Sequence, residues 1–147
     1  MKILITTDCY TPMINGVVTS IRNLETQLRS RGHEVKILFP SQYLHGESRD
    51  NIVRMGSIGA GKFCNGARAA EWFRKSSLQK LIDWKPDVIH AQSEFFSFAM
   101  AKRIAAAVNC PIVHTYHTIY EDYTHYFSHS IELGRKAVVT MTRHVLQ

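Results

Sequence analysis

KILITTDCYTPMINGVVTSI, residues 2–21, contains a complete strand–loop–helix unit. KILITT is an apolar, β-prone run that ends on Thr6, Thr7 and Asp8. A short loop follows, with Pro12 inside it. Asn15 is a good helix N-cap, because its side chain can accept from an amide of the first turn. Val17, Ile21, Leu24 and Leu28 then recur at spacings of 4, 3 and 4, which predicts a helix with one apolar stripe. Gly32 stops that helix as the residue just past its cap. HEVKILF, residues 33–39, reads as a second strand.

The same alternation continues outward. Residues 40–51 are polar and loop-like, and NIVRM (51–55) predicts a short third strand. GSIGAGKFCNG (56–66) is a Gly-rich connection. A helix is expected from Ala67 to Trp84, ended by Pro86. DVIHA (87–91) is a fourth strand, Glu94 to Val108 another helix, and PIVHTYH (111–117) a fifth strand. Residues 118–128 read as irregular or briefly helical. Ser130 caps a last helix in which Ile131, Val138 and Val145 repeat every seven positions. Short, continuous apolar strands separated by helices predict an α/β fold, a parallel sheet covered on both faces. The last helix would normally feed a sixth strand, so the fold is expected to be incomplete at its C-terminus. Ligands of such sheets bind beyond the carboxyl ends of the strands. That directs attention to Asp8–Gly16, Pro40–His45, Gln92–Glu94 and His117–Tyr126.

Composition narrows the class. The chain has 147 residues, 45 % of them hydrophobic, and a net charge of +6, enough for one domain with a real core. The basic balance suits phosphates, nucleic acid or anionic lipid without choosing among them. Nucleic acid gains no motif support. The three cysteines, Cys9, Cys64 and Cys110, lie far apart with no C-x-x-C, and read as reduced thiols. The first residues hold too short an apolar run for a signal peptide. No stretch reaches the roughly 18 apolar residues of a spanning helix, so membrane contact must be peripheral.

Three stretches carry candidate chemistry. HTYHTIYEDYTHY (114–126) is dense in histidine, tyrosine and carboxylate. His114 and His117 fall on opposite faces of a strand that runs through both, so they do not share a metal. Glu121, His125 and His129 would align on a helix, but such spacing is common by chance, and no metal site is expected. His117 closes the fifth strand, where ligands bind. In the first loop Gly16 opens the helix, and its missing side chain would let an anion approach the backbone. An ordinary turn glycine is the equal alternative. The dinucleotide and Walker patterns are absent. In the third stretch, Lys62 to Lys85, a single helix would place Trp72 beside Arg68 and Lys75 on its outward face. That suits a helix lying on anionic lipid, or a solvated basic face with Trp72 under a loop.

The start KILITTDCYTPMINGVVTSI, the RGHEV after the first helix, PDVIHAQSE and HTYHTIYEDYTHY together resemble the N-terminal half of retaining glycosyltransferases of family 4, which have the GT-B fold. The tyrosine-rich segment and the N-G-V loop resemble most the diacylglycerol glucosyltransferases. The resemblance implies a Rossmann-like, acceptor-binding, N-terminal domain over 1–147, truncated, with the C-terminal nucleotide-sugar domain absent. It implies transfer of glucose from a nucleotide sugar, UDP-glucose, to diacylglycerol with retained anomeric configuration. Asn15 and Gly16 would meet the donor diphosphate, and His117 the donor sugar at the transfer centre. Glu121 and Asp122 would bind acceptor hydroxyls or be structural. Arg68, Trp72 and Lys75 would dock on the anionic inner face of the cell membrane. No cofactor or metal is implied. The chain alone would be inactive, and an unpaired sheet edge would invite self-association. A soluble sugar or polyol acceptor, or a peripheral membrane-binding module without chemistry, are the alternatives.

Overall fold

The computed structural model describes residues 1–40, 48–49, 51–55, 57–59, 68–70, 75–117, 139–140 and 143. The chain divides into two compact units, Met1–Thr115 and Tyr116–Gln147.

The first unit is built on a six-stranded sheet. Its strands are β1 (Lys2–Thr6), β2 (Glu34–Pro40), β3 (Ser48–Arg49), β4 (Ile52–Met55), β7 (Val88–Ala91) and β8 (Ile112–His114). They lie in the order β3-β4-β2-β1-β7-β8, and all are parallel except β3, which runs antiparallel to β4. β1 is central, with Ile5 opposite Ile37 on one side and His90 on the other. A separate two-stranded ladder pairs β5 (Ser57–Gly59) with β6 (Arg68–Ala70), antiparallel. The helices are α1 (Gly16–Ser30), α2 (Lys75–Trp84) and α3 (Phe96–Val108).

Successive strand residues point to opposite faces, and here both faces are covered. Ile3, Ile5, Val35 and Ile37 meet Val18 and Ile21 of α1. Leu4, Leu38, Val53 and Ile89 meet Leu78 and Leu81 of α2 and Met100 and Ile104 of α3. That explains why the strands read as unbroken apolar runs. Each such fully buried side chain contributes about 1.5–3 kcal/mol.

Local punctuation follows the sequence. The Asn15 Oδ1 accepts from the Val18 amide at 2.9 Å, capping α1. Gly32, with φ +80°, turns the chain after α1. Lys85 (φ 53°) and Asn109 (φ 55°) do the same after α2 and α3, each just before a proline or one residue removed from it. The amino end of the sheet is stitched shut. The Lys2 amide donates to Asp87 Oδ2 (2.6 Å), and the Lys2 ammonium to the Trp84 carbonyl (3.1 Å). The ammonium groups of Lys36 and Lys2 sit 4.7 and 5.9 Å from the centre of the Trp84 ring.

Two expectations are corrected. The helix expected over Ala67–Trp84 is not continuous: residues 68–70 form β6, and α2 begins only at Lys75. Ala67, Ala70 and Phe73 recur with helical spacing, but helix propensity is a weak prior, and segment 57–59 offers a ladder partner. The face that would have carried Arg68, Trp72 and Lys75 on one helix therefore does not exist. The fifth strand is also shorter than 111–117. β8 ends at His114, and the Thr115 amide makes the last bond, to the Ala91 carbonyl at 2.9 Å. Its partner β7 stops at Ala91, so the ladder runs out there. His117 lies three residues beyond the strand rather than closing it. The last expected helix falls mostly outside the described residues; Val139, Thr140 and Arg143 are helical.

Candidate active site

From β1 the chain winds outward through β2 to β4 on one side of the sheet. It then returns to β7 on the other side of β1 and continues to β8. Winding reverses between β1 and β7, and a parallel sheet opens a ligand crevice at the carboxyl ends of such a pair. The loops after β1 and β7 border this crevice, and α1 and α3 leave it on opposite faces.

The crevice floor is polar. Thr6 and Thr7 at the tip of β1, and Gln92, Ser93 and Glu94 after β7, are all buried, as is Ser97 in the first turn of α3. These groups bind one another across the reversal. The Asp8 amide donates to Ser93 Oγ at 3.0 Å, and Ser93 Oγ lies 3.5 Å from Thr7 Oγ1. Asp8 Oδ1 accepts from the Ser97 amide at 2.9 Å. Thr7 Oγ1 also donates to the Cys9 carbonyl at 2.9 Å. Burial pushes the Asp8 carboxyl above its ordinary range. The bonds from Ser97 and the Phe95 amide oppose that lift without cancelling it, and nearby Glu94 adds to it. Glu94 Oε1 approaches His114 Nε2 at 3.7 Å, and the His114 ring stands edge-on to Phe98 with centroids 5.2 Å apart. His90 Nε2 and Thr115 Oγ1 are 2.7 Å apart.

Above this floor the first loop rises to α1. Tyr10 is buried against Phe39, and its hydroxyl donates to Glu25 Oε2 at 2.8 Å, which ties the loop to the helix. Burial, with the bond to Glu25, holds the Tyr10 phenol well above its usual range. Residues 12–16 are exposed. Because Asn15 caps Val18, the first-turn amides of Gly16 and Val17 are the ones a phosphate oxygen could reach. A Cβ on Gly16 would meet nothing within 4 Å. The exposed start of α1 can therefore offer first-turn amides to an anion.

The predicted residues fare unevenly. Asn15 is the N-cap of α1 and Gly16 its first residue, at the end of the loop that leaves β1. His117 is half-buried and belongs to the second unit. Arg68 is the first residue of β6 and Lys75 the first of α2. Glu121, Asp122 and Trp72 lie outside the described residues, as do His125 and His129. Sequence reasoning pointed to both loops but missed the cross-links between them. The readable signal was a carboxylate or hydroxyl directly after each strand: Asp8 after β1, Ser93 and Glu94 after β7.

Known proteins share this arrangement of sequence. Residues 14–145 match the model of Glycosyltransferase Family 4. An alpha-monoglucosyldiacylglycerol synthase of Streptococcus pneumoniae is 35 % identical over 144 residues, 97 % of this chain and 32 % of its own. One from Acholeplasma laidlawii is 36 % identical over 130 residues, 87 % of this chain and again 32 % of its own. The chain spans about a third of the length of these curated relatives. A parallel Rossmann-like sheet, a capped helix following its central strand and a family match over most of the residues agree, and the chain belongs to glycosyltransferase family 4.

Proposed function

We propose that this chain is the acceptor-side, N-terminal domain of a retaining glycosyltransferase that moves glucose from UDP-glucose to diacylglycerol at the membrane surface. The observation that carries this reading is identity of 35–36 % with two synthases of α-monoglucosyldiacylglycerol across most of the chain. Such a product is an α-glucoside. UDP-glucose carries its glucose as the α anomer, so an α product is net retention.

The residues take the following roles. The amides at the start of α1, with Asn15 and Gly16, receive the donor diphosphate. The exposed position of Gly16 and the open space at its α-carbon support this. Fixed backbone donors placed where charge develops lower the barrier to departure of the nucleotide. His117 faces the donor sugar, and Glu121 and Asp122 bind acceptor hydroxyls. The nucleotide sugar is a substrate, and neither metal nor other cofactor takes part. A second Rossmann-like half supplies the remaining nucleotide contacts, so residues 1–147 by themselves transfer no sugar. Arg68, Trp72 and Lys75 meet anionic lipid, Arg68 from the start of β6 and Lys75 from the start of α2. The enzyme sits peripherally on the cytoplasmic face; among the described residues no helix is long and apolar enough to cross a membrane. Among the described strands β8 has a neighbour on one side only, which supports self-association through that edge.

The test uses the protein at its full natural length, labelled UDP-glucose and diacylglycerol in anionic vesicles. The expected product is a lipid-extractable α-glucoside that mild alkali, by cleaving its acyl esters, converts to water-soluble glucosylglycerol. His117→Ala should lower kcat by about 10²-fold or more with the fold kept. Glucose transfer to soluble sugars but not to diacylglycerol would overturn the acceptor assignment.

A further inference from the structure

The loop that presents Asn15 and Gly16 leaves β1 at the winding reversal, and one residue fastens it to the opposite side. Asp8 makes two bonds across the crevice floor. Its amide donates to Ser93 Oγ (3.0 Å), and its Oδ1 accepts from the Ser97 amide (2.9 Å), a partner 89 positions away in sequence. Both partners belong to the β7–α3 side. α3 needs that bond, because its own N-cap, Phe95, makes no side-chain cap.

We propose that Asp8 is a positioning residue for the donor: by bridging the root of the β1–α1 loop to Ser93 and Ser97, it sets where the first-turn amides of α1 stand over the crevice. The inference rests on the reading of Asn15 and Gly16 as the diphosphate site.

Two observations separate this role from simple capping. A serine, threonine or asparagine at position 95 would cap α3 locally without burying a charge. The chain instead places Phe95 there, 47 % exposed, and takes the cap from the neighbouring loop. Burial, with Glu94 alongside, also disfavours the Asp8 carboxylate, so the arrangement is a poor way to gain stability alone. The geometry accounts for the loop's other fixed points as well. Tyr10 ties it to α1 through Glu25, and Asn15 caps the same helix. Asp8 and Thr7 hold its root to Ser93 in the loop after β7, and residues 12–16 are the exposed span between. Loosening the root would shift the amides without unmaking α1.

The experiment measures steady-state kinetics of the full natural-length protein, with UDP-glucose and diacylglycerol varied separately. Asp8→Ala is expected to raise the donor KM by about fivefold or more, with the acceptor KM unchanged. Asp8→Asn, whose Oδ1 can still accept from the Ser97 amide, should bring the donor KM back to within about twofold of the parent. Ser93→Ala, which removes the second bridge, should move the donor KM in the same direction as Asp8→Ala and serves if that variant does not fold. A merely structural role would reduce the active fraction and leave both KM values in place. A parent that transfers no glucose from UDP-glucose overturns the functional reading, and this inference with it. An active parent whose donor KM is unmoved in Asp8→Ala or Ser93→Ala overturns the positioning role alone.

Discussion

Gly16 is the residue at which ligand binding and folding are most cleanly separated. A methyl group there meets nothing within 4 Å, and alanine is the better helix former by up to about 1 kcal/mol. Gly16→Ala should therefore keep or slightly raise the thermal midpoint while raising the donor KM, because the methyl occupies space a phosphate would use. An unchanged KM would show that the glycine is only a turn residue. Asp8 makes the opposite case, a residue that costs stability. Its folded-state carboxyl titrates above the ordinary value of 3.8. The stability tied to its neutral form is thus present below that value and lost as pH rises through the folded value. Asparagine mimics the neutral acid at every pH. Asp8→Asn is expected to be more stable than the parent at neutral pH, with the gain vanishing as pH falls below about 4. Urea denaturation at the two pH values reads the difference, and equal gains at both would refute it.

At the scale of elements, α2 shows what was legible and what was not. Its end was plain, because Pro86 cannot follow in a helix, and the chain turns at Lys85. Its start was not. Ala67, Ala70 and Phe73 recur with helical spacing, yet Arg68–Ala70 pairs as a strand with Ser57–Gly59. Small residues fit either state, and the choice was made by a partner ten or so positions upstream that periodicity does not register. β8 was overestimated for a related reason. IVHTYH is β-prone throughout, but a strand extends only as far as its neighbour, and β7 stops at Ala91. By contrast α1 was readable from cap to stop, since Asn15, the apolar stripe and Gly32 all act within the segment. The part of α2 that packs can be tested directly. Leu81 is fully buried among Leu4, Leu38 and Ile104, so Leu81→Ala should destabilise the domain by about 2–5 kcal/mol in a denaturant titration. A loss below about 1 kcal/mol would show that α2 is not seated on the sheet as described.

For the whole molecule, the sheet with both faces covered was legible because doubly buried strands cannot alternate polar and apolar residues. The cross-crevice bonds of Asp8 were not, since they join residues 85 and 89 apart that nothing local associates. The proposed membrane contact belongs at this scale, because Arg68 begins a strand and Lys75 a helix. Sedimentation with anionic vesicles is expected to capture the protein, and Trp72→Ala combined with Arg68→Ala to release it. Equal capture by neutral vesicles would remove the charge argument. The stitched amino end offers an experimental convenience. The chain has two tryptophans, and Trp84 lies under two ammonium groups at the margin of the sheet remote from Asn15 and Gly16. In a Trp72→Phe background, its emission becomes a single optical reporter that follows denaturation and stays dark to nucleotide occupancy.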